Sequence, residues 1–176
     1  ENTDGLGIVT KSICPDCDYV AFNRMPGQAW FDDYYRSVWQ QGTGKIDSPC
    51  RDLVQVLLPR LKSKEARILD IGTGFGSALM RLQEHGFQNI SGVEASSRSS
   101  RIGRERGLNI SQGTVETLTE IPEIMADAPY DVIIMRQVLE HFFDVNAAIR
   151  NVRKLLKDGG LFFIAVPNFL SEHTLR

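Results

Sequence analysis

Residues 67–76 read RILDIGTGFG, and this stretch decides the fold. The apolar residues Ile68, Leu69 and Ile71 surround one acid, Asp70, in a short run typical of a buried strand. Glycines follow at 72, 74 and 76, and a helical pattern begins at Ser77 and stops at Gly86. The stretch therefore predicts a strand, a tight glycine loop and a helix. Glycine has no Cβ, so such a loop can approach a bound ligand closely.

Strand and helix signals alternate on both sides of this loop. Strands are predicted at residues 67–71, 89–94, 108–111, 130–135 and 161–166. Helices are predicted from Pro49 through Leu61 and at residues 77–85, 97–106 and 145–156, and a turn is predicted at 158–160. Apolar strands that alternate with helices indicate an α/β fold, in which a mainly parallel sheet carries helices on both faces. The ligand crevice is then expected beyond the carboxyl ends of the strands, next to the first one.

The spacing of the glycines separates two classes of ligand. Dinucleotide-binding loops follow the order G-x-G-x-x-G, but here Ser77 stands at the third position and Gly76 comes one residue too early. The carboxylate of Asp70 would repel a pyrophosphate and attract a cationic group. No P-loop lysine follows the glycines, so a Walker-type phosphate site is not predicted.

A second acid, Glu94, ends the next predicted strand. An acid at that position can accept hydrogen bonds from both ribose hydroxyls of an adenosine. With Asp70 and the loop, it describes a ligand that has a ribose and a positive charge but no phosphate, which fits S-adenosylmethionine. The competing interpretation is that Asp70 caps a helix and Glu94 is an ordinary surface acid.

Four motifs in order resemble the class I S-adenosylmethionine-dependent methyltransferases over about residues 50–170. They are ILDIGTGFG at 68–76, GVEAS at 92–96, YDVI at 130–133 with VLEH at 138–141, and LKDGGL at 156–161 with VPN at 166–168. The resemblance implies a Rossmann-like, doubly wound sheet, and S-adenosylhomocysteine as the product. It also implies that two further strands should follow the fifth, so the methyltransferase domain at 46–176 is expected to be incomplete at its C-terminal end.

The resemblance also assigns site residues. Asp70 and the glycine loop would hold the methionine part, Glu94 the ribose, residues after the third strand the adenine, and the end of the fourth strand the substrate side. The implied cofactor contacts are Asp70, Gly72, Thr73, Gly74, Gly76, Glu94, Ala95, Thr114, Val115, Arg136 and Gln137. Family members often carry aspartate where Thr114 stands.

Residues 1–45 differ from the rest and are predicted to form a separate, aromatic-rich segment. Cys14-Pro15-Asp16-Cys17, with the motif at 22–26 and Tyr34-Tyr35, resembles a subgroup in which a small zinc ribbon precedes the methyltransferase domain. Structural zinc requires four ligands, and Cys14 and Cys17 supply half of them. A truncated ribbon, or one that has lost its metal, is therefore favoured over bound zinc.

Composition limits the function classes further. The 20 basic and 22 acidic side chains give a formal charge of −2, which disfavours a nucleic-acid partner. The four arginines at 98, 101, 104 and 106 are interpreted as a solvated helix face. The sequence shows no apolar stretch long enough for a membrane span and no signal peptide, and its three cysteines do not form a disulfide framework, so a cytoplasmic protein is expected. The oligomeric state is not indicated.

The expected reaction is methyl transfer to a small-molecule acceptor, such as a sugar or another biosynthetic intermediate. His141 follows the fourth strand near the crevice and is the candidate general base, with Glu140 beside it. Local packing or capping by His141 is the competing interpretation. Two other functions stay open: a non-catalytic methyltransferase-like binding module, and a nicotinamide-dependent dehydrogenase.

Overall fold

The computed structural model describes residues 11–17, 20–22, 50–142 and 144–168. The chain divides into two compact units, residues 1–38 and 39–176. In the first unit, strands β1 (Lys11–Ile13) and β2 (Val20–Phe22) pair as an antiparallel hairpin. The predicted boundary at residue 45 lies outside the described residues and stays a prediction.

Within its described residues, the second unit contains a five-stranded sheet and four α-helices. The strands are β3 (Ile68–Ile71), β4 (Ile90–Glu94), β5 (Ile110–Gln112), β6 (Tyr130–Arg136) and β7 (Leu156–Ala165). The helices are α1 (Ser77–Glu84), α2 (Ser97–Glu105), α3 (Pro122–Asp127) and α4 (Val145–Leu155). The strand order is β5-β4-β3-β6-β7, and every neighbouring pair is parallel. The predicted α/β fold with a parallel sheet is confirmed.

Alternation along the central strands places a hydrophobic core on each face of the sheet. In β3, Ile68 belongs to one core and Leu69 to the other, because successive side chains of a strand point to opposite faces. The first core packs Leu53, Leu57 and the buried face of α1 against the sheet. The second core contains the buried residues of α3 and α4. Helices therefore cover both faces, as a doubly wound sheet requires.

The topology locates the crevice. The chain leaves β3 toward β4 through α1, whereas it leaves β6 toward β7 through α4. Strands β3 and β6 are neighbours, and the loops that follow them lead to opposite sides of the sheet. An opening is therefore left between these two loops at the carboxyl ends of the strands. This opening is where the predicted site residues of both strands meet.

Two predicted elements differ from the structure. The helix predicted from Pro49, a residue outside the described ranges, is an irregular segment with a π-helical turn at Leu53–Leu57 and a 3-10 turn at Leu58–Arg60. Pro59 has no N–H to donate, so a regular α-helix cannot continue through it. The turn predicted at 158–160 is a bulge inside β7: Tyr130 pairs with Leu156 but Val132 pairs with Leu161, and Gly159 has a φ of 75°.

Sequence periodicity missed α3, which has only six residues. Proline at its first position is compatible with a helix start, but so short a segment shows no repeating apolar face. The further strands expected after residue 166 would begin at or beyond residues 169–176, which are outside the described ranges, and stay a prediction. No described helix has the length and apolar content of a membrane span.

Candidate functional site

Asp70 lies in β3 and is only 3% exposed. Burial raises the pKa of its carboxyl from the ordinary 3.8 to about 6, while the Thr73 hydroxyl and the positive charge of Arg136 act in the opposite direction. The nearby acids Glu94 and Asp52 raise it further. Asp70 is thus a carboxylate that the folded protein holds at an energetic cost, as is common where a cation has to be bound.

The glycine loop connects β3 to α1 and is anchored on β4. The N–H groups of Gly72 and Thr73 both donate to the carbonyl of Val93, at 2.8 and 3.1 Å. A Cβ on Gly72 would lie 2.4 Å from a methyl group of Val138, and one on Gly76 would lie 2.1 Å from a methyl group of Leu108. Contacts inside the protein therefore already favour glycine at both positions, and their role as cofactor contacts stays a prediction.

Gly74, at the tip of the loop, is different. It has a φ of 59°, and a Cβ there would meet no atom of the described residues within 4 Å. The predicted close approach of a ligand to the loop is therefore possible at Gly74, because no described residue lies against the backbone there. The Thr73 hydroxyl is buried beside Asp70 and favours the charged form of that carboxylate.

Glu94 ends β4 directly across from the loop. Its Oε2 accepts a 2.8 Å hydrogen bond from the N–H of Gly74, and its Oε1 accepts one of 2.8 Å from the N–H of Ser96. Burial still raises the pKa of Glu94 above its ordinary value, because these amides do not fully replace water. Each carboxylate oxygen has two lone pairs, so both oxygens can accept a second hydrogen bond.

Neither Asp70 nor Glu94 forms an ion pair with another described residue. Two buried acids with raised pKa values therefore lie at the carboxyl ends of adjacent strands, on either side of a glycine loop. Such an arrangement favours a ligand that brings a positive charge and hydrogen-bond donors.

Arg136 occupies the end of β6, and its guanidinium is already engaged. Nε and Nη2 donate to the two carboxylate oxygens of Asp52 at 2.8 and 2.9 Å, and Nη1 donates to Sγ of the buried Cys50 at 3.2 Å. Burial alone would raise the pKa of Asp52, but the hydrogen bonds and the charge of Arg136 outweigh it and lower that pKa. The sequence motifs point to Arg136 but not to Asp52, because no local pattern marks an acid whose partner is 84 residues away.

The residues after β6 form the other wall of the opening. Gln137 has a φ of 55°, in the left-handed region, and its N–H donates to the carbonyl of Ala165 on β7 at 2.7 Å. A 3-10 turn at Leu139–His141 then places His141 Nε2 3.9 Å from Glu140 Oε1. Burial lowers the pKa of His141, against the opposing effects of Glu140 and of a hydrogen bond with the backbone of Gln137. A neutral imidazole at neutral pH is able to accept a proton.

The residues predicted beside the adenine differ in their exposure to solvent. Ala95 and Thr114 are exposed, and the Thr114 N–H donates to the Thr117 hydroxyl at 3.0 Å in a local turn. Val115 is buried, and its side chain packs in the second core. The N–H of Gly113 donates to the carbonyl of Glu94 at 3.1 Å and joins this loop to the end of β4.

The two metal-ligand candidates lie in the hairpin unit. Cys14 and Cys17 occupy the segment after β1, and both are free cysteines. Hydrogen bonds from the Asp16 backbone and from Cys17 lower the pKa of the Cys14 thiol, which favours the thiolate form that binds metals. Within residues 11–17, 20–22, 50–142 and 144–168, no three His, Cys, Asp or Glu side chains are grouped closely enough to hold a metal ion. Cys14 and Cys17 stay a predicted half site, in which bound zinc is the less favoured interpretation.

Comparison with known proteins decides the family. A family model described as a methyltransferase domain matches residues 43–175. The chain belongs to this family. The uncharacterized methyltransferase YcgJ of Bacillus subtilis is 33% identical over 107 residues, covering 57% of this chain and 40% of that protein. A ubiquinone biosynthesis O-methyltransferase of Chelativorans sp. is 33% identical over 104 residues, covering 58% and 40%. This methyltransferase domain therefore matches 40% of the length of each of these relatives.

Solved structures agree with the fold. The crystal structure of Bacillus YcgJ superposes with a TM-score of 0.52 at 30% identity, covering 63% of this chain and 48% of that one. A possible histamine N-methyltransferase from Thermotoga maritima superposes with a TM-score of 0.55 at 24% identity, covering 81% and 60%, and shows the fold alone. The predicted resemblance to the class I S-adenosylmethionine-dependent methyltransferases is confirmed. The resemblance to a zinc-ribbon subgroup stays a prediction.

Proposed function

We propose that this methyltransferase domain binds S-adenosylmethionine over the glycine loop and methylates a small-molecule acceptor, with S-adenosylhomocysteine as the product. The observation that carries the proposal is the pair of buried acids, Asp70 and Glu94, which have raised pKa values, no ionic partner among the described residues, and an open backbone at Gly74 between them. A dinucleotide would bring phosphates to two carboxylates, which Coulomb repulsion opposes.

The residues of the site fit this cofactor by charge and by hydrogen-bonding capacity. Asp70 would accept hydrogen bonds from the cationic amino group, which stabilises a carboxylate that burial otherwise destabilises. The remaining lone pairs of Glu94 would accept the two ribose hydroxyls. The buried Thr73 hydroxyl, which favours the charged form of Asp70, would support the carboxylate that holds the amino group.

The same proposal assigns Arg136 and Gln137 to the methionine and acceptor side, and Ala95, Thr114 and Val115 to the adenine side. Arg136 is the cation whose charge acts on Asp70, so it favours the ionised form of the acid that holds the amino group. Its guanidinium also makes three hydrogen bonds to Asp52 and Cys50, which fix it at the end of β6.

His141 is proposed as the general base for an acceptor hydroxyl. When bound, the cofactor supplies an electrophilic methyl group on a sulfonium and a thioether that leaves readily. The acceptor oxygen becomes nucleophilic as its proton passes to a ring nitrogen of His141, and the nearby carboxylate of Glu140 stabilises the resulting imidazolium. Holding the two reactants in line supplies the rest of the rate enhancement.

An acceptor hydroxyl on a biosynthetic intermediate is supported by the similarity to several ubiquinone biosynthesis O-methyltransferases. Because this chain matches 40% of the length of the Chelativorans enzyme, the acceptor is proposed only as a class of small hydroxylated molecules. A sugar belongs to the same class.

The test is calorimetric titration of the chain with S-adenosylmethionine, S-adenosylhomocysteine and NADH. We expect binding of the first two, which both Asp70→Asn and Glu94→Gln weaken by about tenfold or more, as the loss of a charge-assisted hydrogen bond implies. Glu105→Gln is the matched control, since Glu105 is an exposed acid on α2 that pairs with Arg101. Binding of NADH alone would instead favour the dehydrogenase. Binding of the cofactor without methylation of any hydroxylated acceptor tested would favour a non-catalytic module.

A further inference from the structure

The surface beside α2 carries a concentration of positive charge that the proposed function does not use. Between residues 97 and 112 the sequence contains four arginines and a single acid, Glu105, in a chain whose formal charge is −2. Three of the arginines line a cavity of about 470 Å³, which we call the α2 cavity. Its lining residues are Ser97, Arg98, Arg101, Arg104 and Gln112.

The existing contacts of Arg101 and Arg104 leave much of their charge and hydrogen-bonding capacity available. Arg101 pairs with Glu105 at 3.2 Å, but both side chains are more than half exposed, so water and salt screen the pair. Arg104 donates one hydrogen bond, of 3.0 Å, to the carbonyl of Ile110 on the edge strand β5. A guanidinium has five N–H donors, so both residues retain several.

Arg98 connects the α2 cavity to the glycine loop. Its guanidinium carbon lies 6.0 Å from the centre of the Phe75 ring, at the outer limit of a cation–π contact. Ser97 and Gln112 add a hydroxyl and an amide, which also donate hydrogen bonds. Every lining side chain therefore offers donors, and three of the five carry a positive charge.

The α2 cavity is open to solvent, but it brings three arginine side chains together, and their positive charges repel one another. A compact anion relieves this repulsion, and the planar fork of arginine matches the oxygens of a phosphate. We propose that the α2 cavity binds a phosphate group. None of its five lining residues is among the proposed cofactor contacts, so the proposal stands or fails independently of methyl transfer.

Two sources could present this group: a small phosphorylated molecule, or the backbone of a nucleic acid. Titrations of the full chain with pyrophosphate and with a short single-stranded oligonucleotide, at constant ionic strength, distinguish them. Saturable binding of pyrophosphate that is at least as tight as that of the oligonucleotide identifies a small ligand. Tighter binding of the oligonucleotide, with the same dependence on Arg101, identifies a nucleic-acid backbone.

Substitutions in and directly after α2 distinguish a specific site in the α2 cavity from nonspecific attraction to positive charge. We expect Arg101→Gln to weaken binding by about tenfold, the loss of one charge-assisted hydrogen bond. Arg106→Gln removes an equal charge outside the cavity lining and should leave the affinity nearly unchanged. Glu105→Gln should tighten binding, because it removes the acid that competes for Arg101. Equal losses in Arg101→Gln and Arg106→Gln, or no saturable binding of either probe, would overturn the proposal.

Discussion

Arg136 and Asp52 form a two-pronged ion pair in which the guanidinium donates to both carboxylate oxygens, at 2.8 and 2.9 Å. The pair joins the irregular segment at residues 50–60 to the carboxyl end of β6, next to the proposed cofactor site. Since Arg136 also acts on the charge of Asp70, a contact that stabilises the fold also adjusts the site.

The ion pair should make a measurable contribution to stability. In a double-mutant cycle with Asp52→Ala and Arg136→Ala, we expect a coupling free energy of about 1–2 kcal/mol, because the arginine side chain is only 17% exposed and the geometry is bidentate. Urea unfolding of the four variants measures it. The exposed pair Arg101–Glu105 is the control and should couple by less than about 0.5 kcal/mol. Equal coupling in both pairs would contradict the assignment.

Asp70 should make the free domain less stable as the pH rises. Its pKa of about 6 in the folded state exceeds the ordinary 3.8, so the folded state binds the proton more tightly than the unfolded state. The contribution of Asp70 to the free energy of unfolding is therefore fully present below pH 3.8. It is lost as the pH rises through 6, and the loss is on the order of 3 kcal/mol. Unfolding of wild type and Asp70→Asn between pH 4 and 7 should show that the variant lacks this loss.

The opposite sign is expected at Asp131, which serves as the control. Hydrogen bonds from Lys157 and from the backbone N–H of Arg67 lower the pKa of Asp131. Its contribution to stability is therefore present above the ordinary pKa and is lost as the pH falls. Asp131→Asn should remove the loss of stability at low pH. If Asp70→Asn and Asp131→Asn changed the pH dependence of stability in the same direction, the environments assigned to the two acids would be wrong.

Cofactor affinity should fall on the acid side of about pH 6. A protonated Asp70 cannot attract a cationic amino group, so binding requires the carboxylate. Binding near pH 6 should also release protons, which calorimetry detects as a dependence of the heat on the ionisation enthalpy of the buffer. Affinity that is independent of pH from 5 to 8 would remove Asp70 from the amino-group site.

Gly72→Ala should be far more damaging than Gly107→Ala. Both glycines have a positive φ, 70° and 81°, but among the described residues only Val138 lies in the way of an added Cβ, at 2.4 Å from the one on Gly72. We expect a loss of about 1 kcal/mol at Gly107 and more than about 2 kcal/mol at Gly72. The midpoint of urea unfolding tests this. Val138→Ala in the Gly72→Ala background should recover part of the difference, and no recovery would show that backbone strain alone is responsible.

His141→Gln should lower the turnover of a hydroxylated acceptor by about 100-fold or more, while cofactor affinity changes little. The wild-type rate should rise with pH through the lowered pKa of His141, below its ordinary 6.5, and this limb should disappear in the variant. Rate profiles measured at saturating cofactor test both points. An unchanged profile would leave His141 with the local packing role only.

Periodicity and short motifs were sufficient for most of the fold and for part of the site. Strands such as β3 and β6 were predictable because both their faces are apolar, and Asp70, Glu94 and the loop were found because they belong to one local pattern. Helix α3 was too short for periodicity to reveal. The strand after α4 was predicted to begin at Leu161 rather than Leu156, because Asp158-Gly159-Gly160 has the composition of a turn and forms a bulge.

The sequence by itself determined the order of strands and helices, the glycine loop and the two acids, since hydrophobic spacing and glycine conformation act over a few residues. Only the tertiary structure decided that Asp52 holds Arg136, that Val138 requires Gly72, and that three arginines share one cavity. These relationships depend on which strand ends meet at one edge of the sheet. They also depend on burial, which raises the pKa of Asp70 to about 6 and cannot be assigned before the surrounding core is known.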